Sequence, residues 1–199
     1  MRGRPVHPIE RESYEILRSR FDFSDLPPLS RAVAERVCHA SADLSFAETL
    51  VLREATLARG LEALRAGATI VCDSRMTAAG IRSRDTAVTL DDPRTSETAR
   101  RDGTTRSAAA MRLASREIGP GAVWVIGNAP TALRELIAHP PVEPSLIVGL
   151  PVGFVGAAEA KAALAGSALP HITNRGERGG SAAAAAAVNA LLYASVGAA

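Results

Sequence analysis

Cysteine, lysine and aromatic residues are scarce in this 199-residue chain, and each scarcity removes a class of answer. Cys38 and Cys72 are its two cysteines, too few for a disulfide framework, and neither stands in a CxxC or Cys/His spacing that would hold zinc. No metal site is expected. The mean hydropathy is +0.07, but alanine supplies much of it, and no run approaches the roughly 18 apolar residues of a membrane span. Met1-Arg2-Gly3-Arg4-Pro5 is basic but leads into Ile9-Glu10-Arg11-Glu12 rather than an apolar stretch, so no secretory signal is visible and a cytoplasmic location is expected. Also missing are the GxGxxG dinucleotide turn, the GxxxxGK[ST] phosphate loop, the GxSxG elbow and HExxH. These absences disfavour nicotinamide cofactors, ATP, serine hydrolysis and zinc proteolysis, and no cofactor is expected.

The charge balance is even. With 23 basic and 21 acidic residues the net charge is +2, which excludes a general nucleic-acid binder. Lys161 is the single lysine, and the other 22 basic residues are arginine. A genome rich in Arg and Ala codons accounts for that bias. Its by-product is a set of guanidinium forks suited to bidentate pairing with carboxylates or phosphates. An anionic ligand is easily accommodated.

What is present reads as an α/β domain. Ile9, Ile16, Leu17 and Phe21 keep helical phase, with Pro8 in the first turn; Ser30 can cap a second helix reaching about Ala40; a third runs from about Arg53 to Ala66. After Gly67 come five β-prone runs, 68–72, 86–90, 122–126, 146–149 and 171–174. Helical stretches at about 96–101, 104–118, 131–139, 155–165 and 181–195 lie between or after them. The alternation predicts a largely parallel five-stranded sheet flanked by helices and preceded by a helical segment. One domain over 1–199 is expected, with residues 8–66 packed on a core of 67–197. The low-complexity run Ala182–Ala187 continues into Val188, Leu191 and Leu192 and reads as a packed C-terminal helix.

Three glycine-rich loops follow predicted strands: Gly127-Asn128-Ala129-Pro130, Gly149 through Gly153 to Gly156, and Gly176 through Gly179, Gly180 and Ser181. In a parallel sheet all three share the carboxyl edge, where α/β folds bind ligands and helix N-termini present free N–H groups. Ordinary strand-to-helix turns also use glycine. Arg36 and His39, three apart on the second helix, lie on adjoining surface with Glu35 nearby, forming either a site or a satisfied helix end. Ser13 sits on the apolar face of the first helix and needs a polar partner there. Arg106 opens a helix against the positive end of its dipole, and either answers an anionic ligand or faces solvent.

Several stretches closely resemble the precorrin-8X methylmutase (precorrin isomerase) family: Gly103-Thr104-Thr105-Arg106-Ser107-Ala108-Ala109, Gly127-Asn128-Ala129-Pro130-Thr131-Ala132-Leu133, Pro151-Val152-Gly153-Phe154-Val155-Gly156-Ala157-Ala158-Glu159 and Arg178-Gly179-Gly180-Ser181. The likeness runs from the Ser13 helix to Val188-Asn189-Ala190. It implies an isomerase of corrin-ring biosynthesis that moves a methyl group between adjacent ring positions of a tetrapyrrole, precorrin-8X or cobalt-precorrin-8. It also implies a homodimer with the active site near the interface. Arg36, His39 and Ala40 match the family's arginine–histidine–alanine motif, so the resemblance makes His39 the catalytic acid. Ser13, Arg36 and Arg106 are then substrate contacts, with Gly127, Asn128, Gly153, Gly179, Gly180 and Ser181 lining the edge. Arg75 and Arg82 depart from the family pattern. A sigmatropic methyl shift needs an acid and no covalent nucleophile, in keeping with the missing motifs, and histidine is suited to supply the proton near neutrality. A non-catalytic tetrapyrrole carrier and a nucleotide-binding regulatory domain are the rival functions.

Overall fold

The structure is a computed structural model that describes residues 7–82 and 84–196; Met1–Pro5 and Gly197 lie outside them. Ten helices and six strands follow in the order α1 (Pro8–Arg20), α2 (Pro28–Ser41), α3 (Ser45–Thr49), β1 (Leu50–Val51), α4 (Glu54–Arg65), β2 (Ile70–Cys72), α5 (Arg75–Gly80), β3 (Thr86–Ala87), α6 (Pro93–Arg101), α7 (Arg106–Glu117), β4 (Val123–Ile126), α8 (Pro130–Ala138), β5 (Leu146–Gly149), α9 (Ala157–Ala165), β6 (His171–Asn174) and α10 (Ser181–Val196) among the described residues. The sheet order is β1-β6-β5-β4-β2-β3. Five strands are parallel, as the alternation predicts, and all four residues of β4, β5 and β6 are buried, as expected for a sheet covered on both faces.

The sixth strand corrects the expected count. β1 lies between the second and third expected helices, where no strand is predicted, and it pairs antiparallel with β6, Leu50 opposite Asn174 and Val51 opposite Thr173. Two residues carry no period, and only the neighbouring edge turns Leu50-Val51 into a strand. The strand expected at 86–90 shortens to Thr86–Ala87, again an edge.

Each face of the sheet has its own core. One holds α2, α4 and α10 over Ile70, Val123, Val125, Leu146 and Val148; the other holds α7, α8 and α9 around Trp124, Ile126, Leu133 and Ile147. α10 packs most extensively on α2 and also on α4 and α5. Its alanines 183–187 are buried, so it is apolar all round, as an interior helix must be.

Two expectations for the N-terminal helices fail. Ser30 does not cap α2, which begins at Pro28 with Pro27 as its cap residue. Instead Glu54 of α4 accepts from the N–H groups of Leu29 and Ser30 at 2.8 and 2.9 Å and from Ser30 Oγ at 2.7 Å. A carboxylate from another helix thus satisfies the orphan donors and meets the positive end of the dipole. On α1, Ile9 and Ile16 face solvent and Leu17 alone is fully buried, because the helix lies across α2 on a narrow stripe.

Candidate active site

α1 and α2 cross so that the two polar residues singled out from sequence meet. Ser13 Oγ lies 2.9 Å from His39 Nδ1, which supplies the polar partner that Ser13 requires. A hydroxyl can donate to a neutral imidazole nitrogen or accept from an imidazolium, so Ser13 serves both protonation states. Nε2 has no hydrogen-bond partner among the described residues and is the nitrogen left for a ligand. The Tyr14 ring stacks on the imidazole, centroids 4.7 Å apart and planes 9° from parallel.

Burial pushes the His39 pKa down, the Arg36 charge pushes it further, and Glu10 partly opposes both. Glu35, nearby in sequence, does not pair with Arg36. Glu35 instead turns into the α1–α2 interface, accepting from Arg18 at 2.9 and 2.7 Å and from Arg31 at 2.8 Å. Glu10 takes its place, accepting from Arg36 Nη1 at 2.6 Å, while Tyr14 Oη accepts from the same nitrogen at 3.1 Å. Tyr193 of α10 offers Arg36 its ring face at 4.8 Å.

The carboxyl edge of the sheet is built differently from expectation. β2 and β4 are neighbours at which the strand order reverses, the place where α/β sheets usually bind an anion. Asp73, buried at the end of β2, fills that place. Its carboxylate accepts from the N–H groups of Gly127, Asn128 and Ala129 at 3.2, 2.7 and 2.8 Å and from Thr77 Oγ1 at 2.9 Å. Those amides are therefore not open donors for a ligand. With the Thr77 proton given to Asp73, Ser181 Oγ at 3.0 Å donates to Thr77 Oγ1, which ties α10 to the same cluster.

The other glycines divide by role. A Cβ at Gly127 would stand 2.7 Å from Ser181 Cα, and one at Gly179 would stand 2.3 Å from the Leu150 carbonyl oxygen, so both are required by close packing of backbone. The N–H groups of Gly153 and Gly180 donate to Glu177 O and Leu150 O. Asn128 keeps an exposed side chain at the edge. Arg106, in the first turn of α7, donates to Leu90 O at 3.1 Å and lies 3.8 Å from Asp91, so protein groups already answer its charge. Beside it is an open depression of about 500 Å³ lined by Ser96, Ala99, Arg100, Gly103, Thr104 and Arg106. The departures from the family pattern are also placed: Arg75 pairs with Asp91 at 2.5 Å, and the N–H of Arg82 donates to Asn189 Oδ1 at 3.0 Å.

Ser13, Arg36 and His39 are thus brought together, whereas Arg106, Asn128 and the glycine loops have no hydrogen bond, ion pair or ring contact with them among the described residues. Sequence reasoning missed Glu10, Tyr14 and Asp73. The spacing Glu10, Tyr14, Arg18 marks one stripe of α1, and Asp73 four before Thr77 joins a strand end to a helix turn; both signals were available.

Residues 8–194 match the sequence profile of the precorrin-8X methylmutase family. The chain belongs to that family. Precorrin-8X methylmutase of Pseudomonas aeruginosa is 43% identical over 194 residues, covering 92% of this chain and 93% of the relative. Cobalt-precorrin-8 methylmutase of Methanothermobacter thermautotrophicus is 39% identical over 189 residues, covering 92% and 91%. The crystal structure of the precorrin-8X methylmutase from Thermus thermophilus superposes with a TM-score of 0.85 at 34% identity, covering 95% of this chain and 96% of that one. Membership makes the chain an isomerase of the methylmutase type, and it agrees with the α/β fold. No helix among the described residues is long and apolar enough to cross a membrane.

Proposed function

We propose that this methylmutase moves the methyl group from ring position 11 to ring position 12 of precorrin-8X or cobalt-precorrin-8 by a 1,5-sigmatropic shift, with His39 as general acid. Any cobalt is carried by the ring, so both substrates make the same demand on the site. The observation that supports the reading is the Ser13–His39 pair, in which Nδ1 is held at 2.9 Å and Nε2 has no hydrogen-bond partner among the described residues. A proton or hydrogen bond delivered to a ring nitrogen beside the migration site withdraws electrons from the conjugated system and lowers the barrier. The last turn of α2 favours the imidazolium through the helix dipole. Arg36 disfavours it until a carboxylate arm of the substrate joins Glu10 in neutralising the guanidinium. Substrate binding and proton availability are thereby coupled.

Arg36, Arg106 and Asn128 supply polar contacts to the substrate's acetate and propionate arms in this reading, and Gly153 and Gly180 keep the edge low enough for a wide ring. Gly127, Gly179 and Ser181 shape that edge. A second copy of the chain brings its carboxyl-edge loops to the His39 cluster. Two features support that arrangement: the two sets are separate within one chain, and Phe154 and Val155 in the loop after β5 are 90% exposed, an apolar surface suited to a partner. The chain acts as one domain over 1–199 and works in the cytoplasm.

His39→Ala should retain substrate binding and lose about a hundred- to ten-thousand-fold in the absorbance change of methyl migration. Turnover at the wild-type rate would overturn the acid role, whereas binding without any turnover by the unaltered protein would leave a tetrapyrrole carrier. Because an acid must be protonated, activity falls as pH rises through the His39 pKa. kcat/KM, which reports the free enzyme, should decline from below the ordinary histidine value of about 6.5, and the decline in kcat should lie at higher pH. Stopped spectrophotometric assays across pH measure both limbs.

A further inference from the structure

Tyr14 makes three ring or hydroxyl contacts around the reacting histidine, and acid catalysis as described gives it no task. Its ring lies face to face with the His39 imidazole at 4.7 Å and 9°. Its hydroxyl accepts from Arg36 Nη1 at 3.1 Å. The Arg18 guanidinium stands 5.6 Å from its ring centroid, and Glu35 fixes that guanidinium through two hydrogen bonds. Helical spacing explains the convergence, since Glu10, Tyr14 and Arg18 fall one turn apart on α1 and face α2 together. Ser13, Tyr14, Glu10 and Arg36 are the polar and charged groups that the two helices bring around His39.

A single hydrogen bond at Nδ1 leaves the imidazole plane poorly defined. Rotation about the outer torsion of a histidine is broad, and one contact gives a direction but not a plane. A stacked ring supplies the missing restraint and thereby aims Nε2. Proton donation requires a heavy-atom approach of about 2.6–3.2 Å, so this aim matters to the rate.

We propose that Tyr14 is a positioning residue for methyl migration: its ring sets the plane of the His39 imidazole, and its hydroxyl holds Arg36 ready for a substrate carboxylate. The two tasks belong to separate parts of one side chain. Burial raises the phenol's pKa, with Arg36 opposing, so the hydroxyl keeps its proton. Accepting from the guanidinium, it has its own O–H to offer the same carboxylate. The inference rests on the reading of His39 as acid and Arg36 as carboxylate partner.

Tyr14→Phe and Tyr14→Leu separate the tasks, with Tyr14→Met as a second non-aromatic variant should the leucine protein fold poorly. Two measurements are made on the full chain: the NMR titration of the His39 ring without substrate, assigned by its loss in His39→Ala, and kcat and KM with precorrin-8X. The phenylalanine variant should keep the wild-type titration and kcat and raise KM about two- to tenfold, the loss of one hydrogen bond. The leucine or methionine variant should lower kcat about 10- to 100-fold and move the His39 titration up towards about 6.5 as the ring is uncovered. A tyrosine with a merely structural role would lower thermal stability and leave titration, kcat and KM unmoved, which overturns the proposal. An equal loss of kcat in the phenylalanine and leucine variants also overturns it. If the wild-type protein converts neither precorrin-8X nor its cobalt form, the functional reading fails, and the substrate-free titration still decides whether the ring controls the imidazole.

Discussion

Asp73 illustrates how much one side chain can hold. Its buried carboxylate takes three backbone N–H groups and one hydroxyl, joining the end of β2 to the loop after β4 and, through Thr77, to the start of α10. Asp73→Asn places an NH2 donor against donors and removes the charge that strengthens each bond. We expect about 2–4 kcal/mol of lost stability in urea unfolding, with the Ser13–His39 pair intact. Unchanged stability would mean that the carboxylate does not hold this junction. The same residue occupies the backbone amides of the glycine loop after β4. Gly127-Asn128-Ala129 has the composition of an anion-binding turn, and it binds an anion, but the anion is the protein's own. Ser13 and His39, by contrast, were both legible: one as a hydroxyl on an apolar face, the other by its place in a family motif.

Elements assemble through close approach of backbones at the carboxyl edge. Gly179 lets the loop before α10 press against the Leu150 and Pro151 carbonyls, and Gly180 N–H donates to Leu150 O at 2.7 Å. Gly179→Ala should therefore cost about 1–3 kcal/mol or more through overpacking, read as a lowered thermal midpoint, and should displace the Ser181 end of α10. Retention of the wild-type midpoint would show that the loop can shift at no cost. Lys161 reinforces this region from α9: fully buried, it donates to Asn174 Oδ1 at 3.1 Å and to Arg178 O, and burial pushes its pKa down to about 8. α7, whose Thr105 side chain accepts from the Ala108 N–H, and α10, an uninterrupted alanine-rich run, were placed from sequence within a residue or two. β1 was missed because two residues have no pattern of their own and become a strand only beside β6. The start of α2 was misplaced because its cap is Glu54, on another helix.

Within the whole molecule, the Ser13–His39 cluster on α1 and α2 and the polar groups at the carboxyl edge have no hydrogen bond, ion pair or ring contact with each other among the described residues. If a second copy joins them, His39→Ala and Arg106→Ala proteins, each inactive alone, should regain part of the activity when mixed and allowed to exchange subunits, because one hybrid site then carries both side chains. Light scattering should show twice the chain mass. A monomer in solution, or no recovery on mixing, would place the complete site within one chain.

Local chemistry settled much in advance. Alternating β-prone and helical runs are enough to dictate a parallel sheet covered on both faces, since apolar strands need two layers to bury them. Contiguous motifs were enough to single out the family. Tertiary structure alone decided which charges meet. Glu10 rather than Glu35 neutralises Arg36, Tyr14 flanks the imidazole, and Asp73 fills the switch point, because ion pairs and stacking depend on where helices cross, and no spacing along a single helix encodes the crossing.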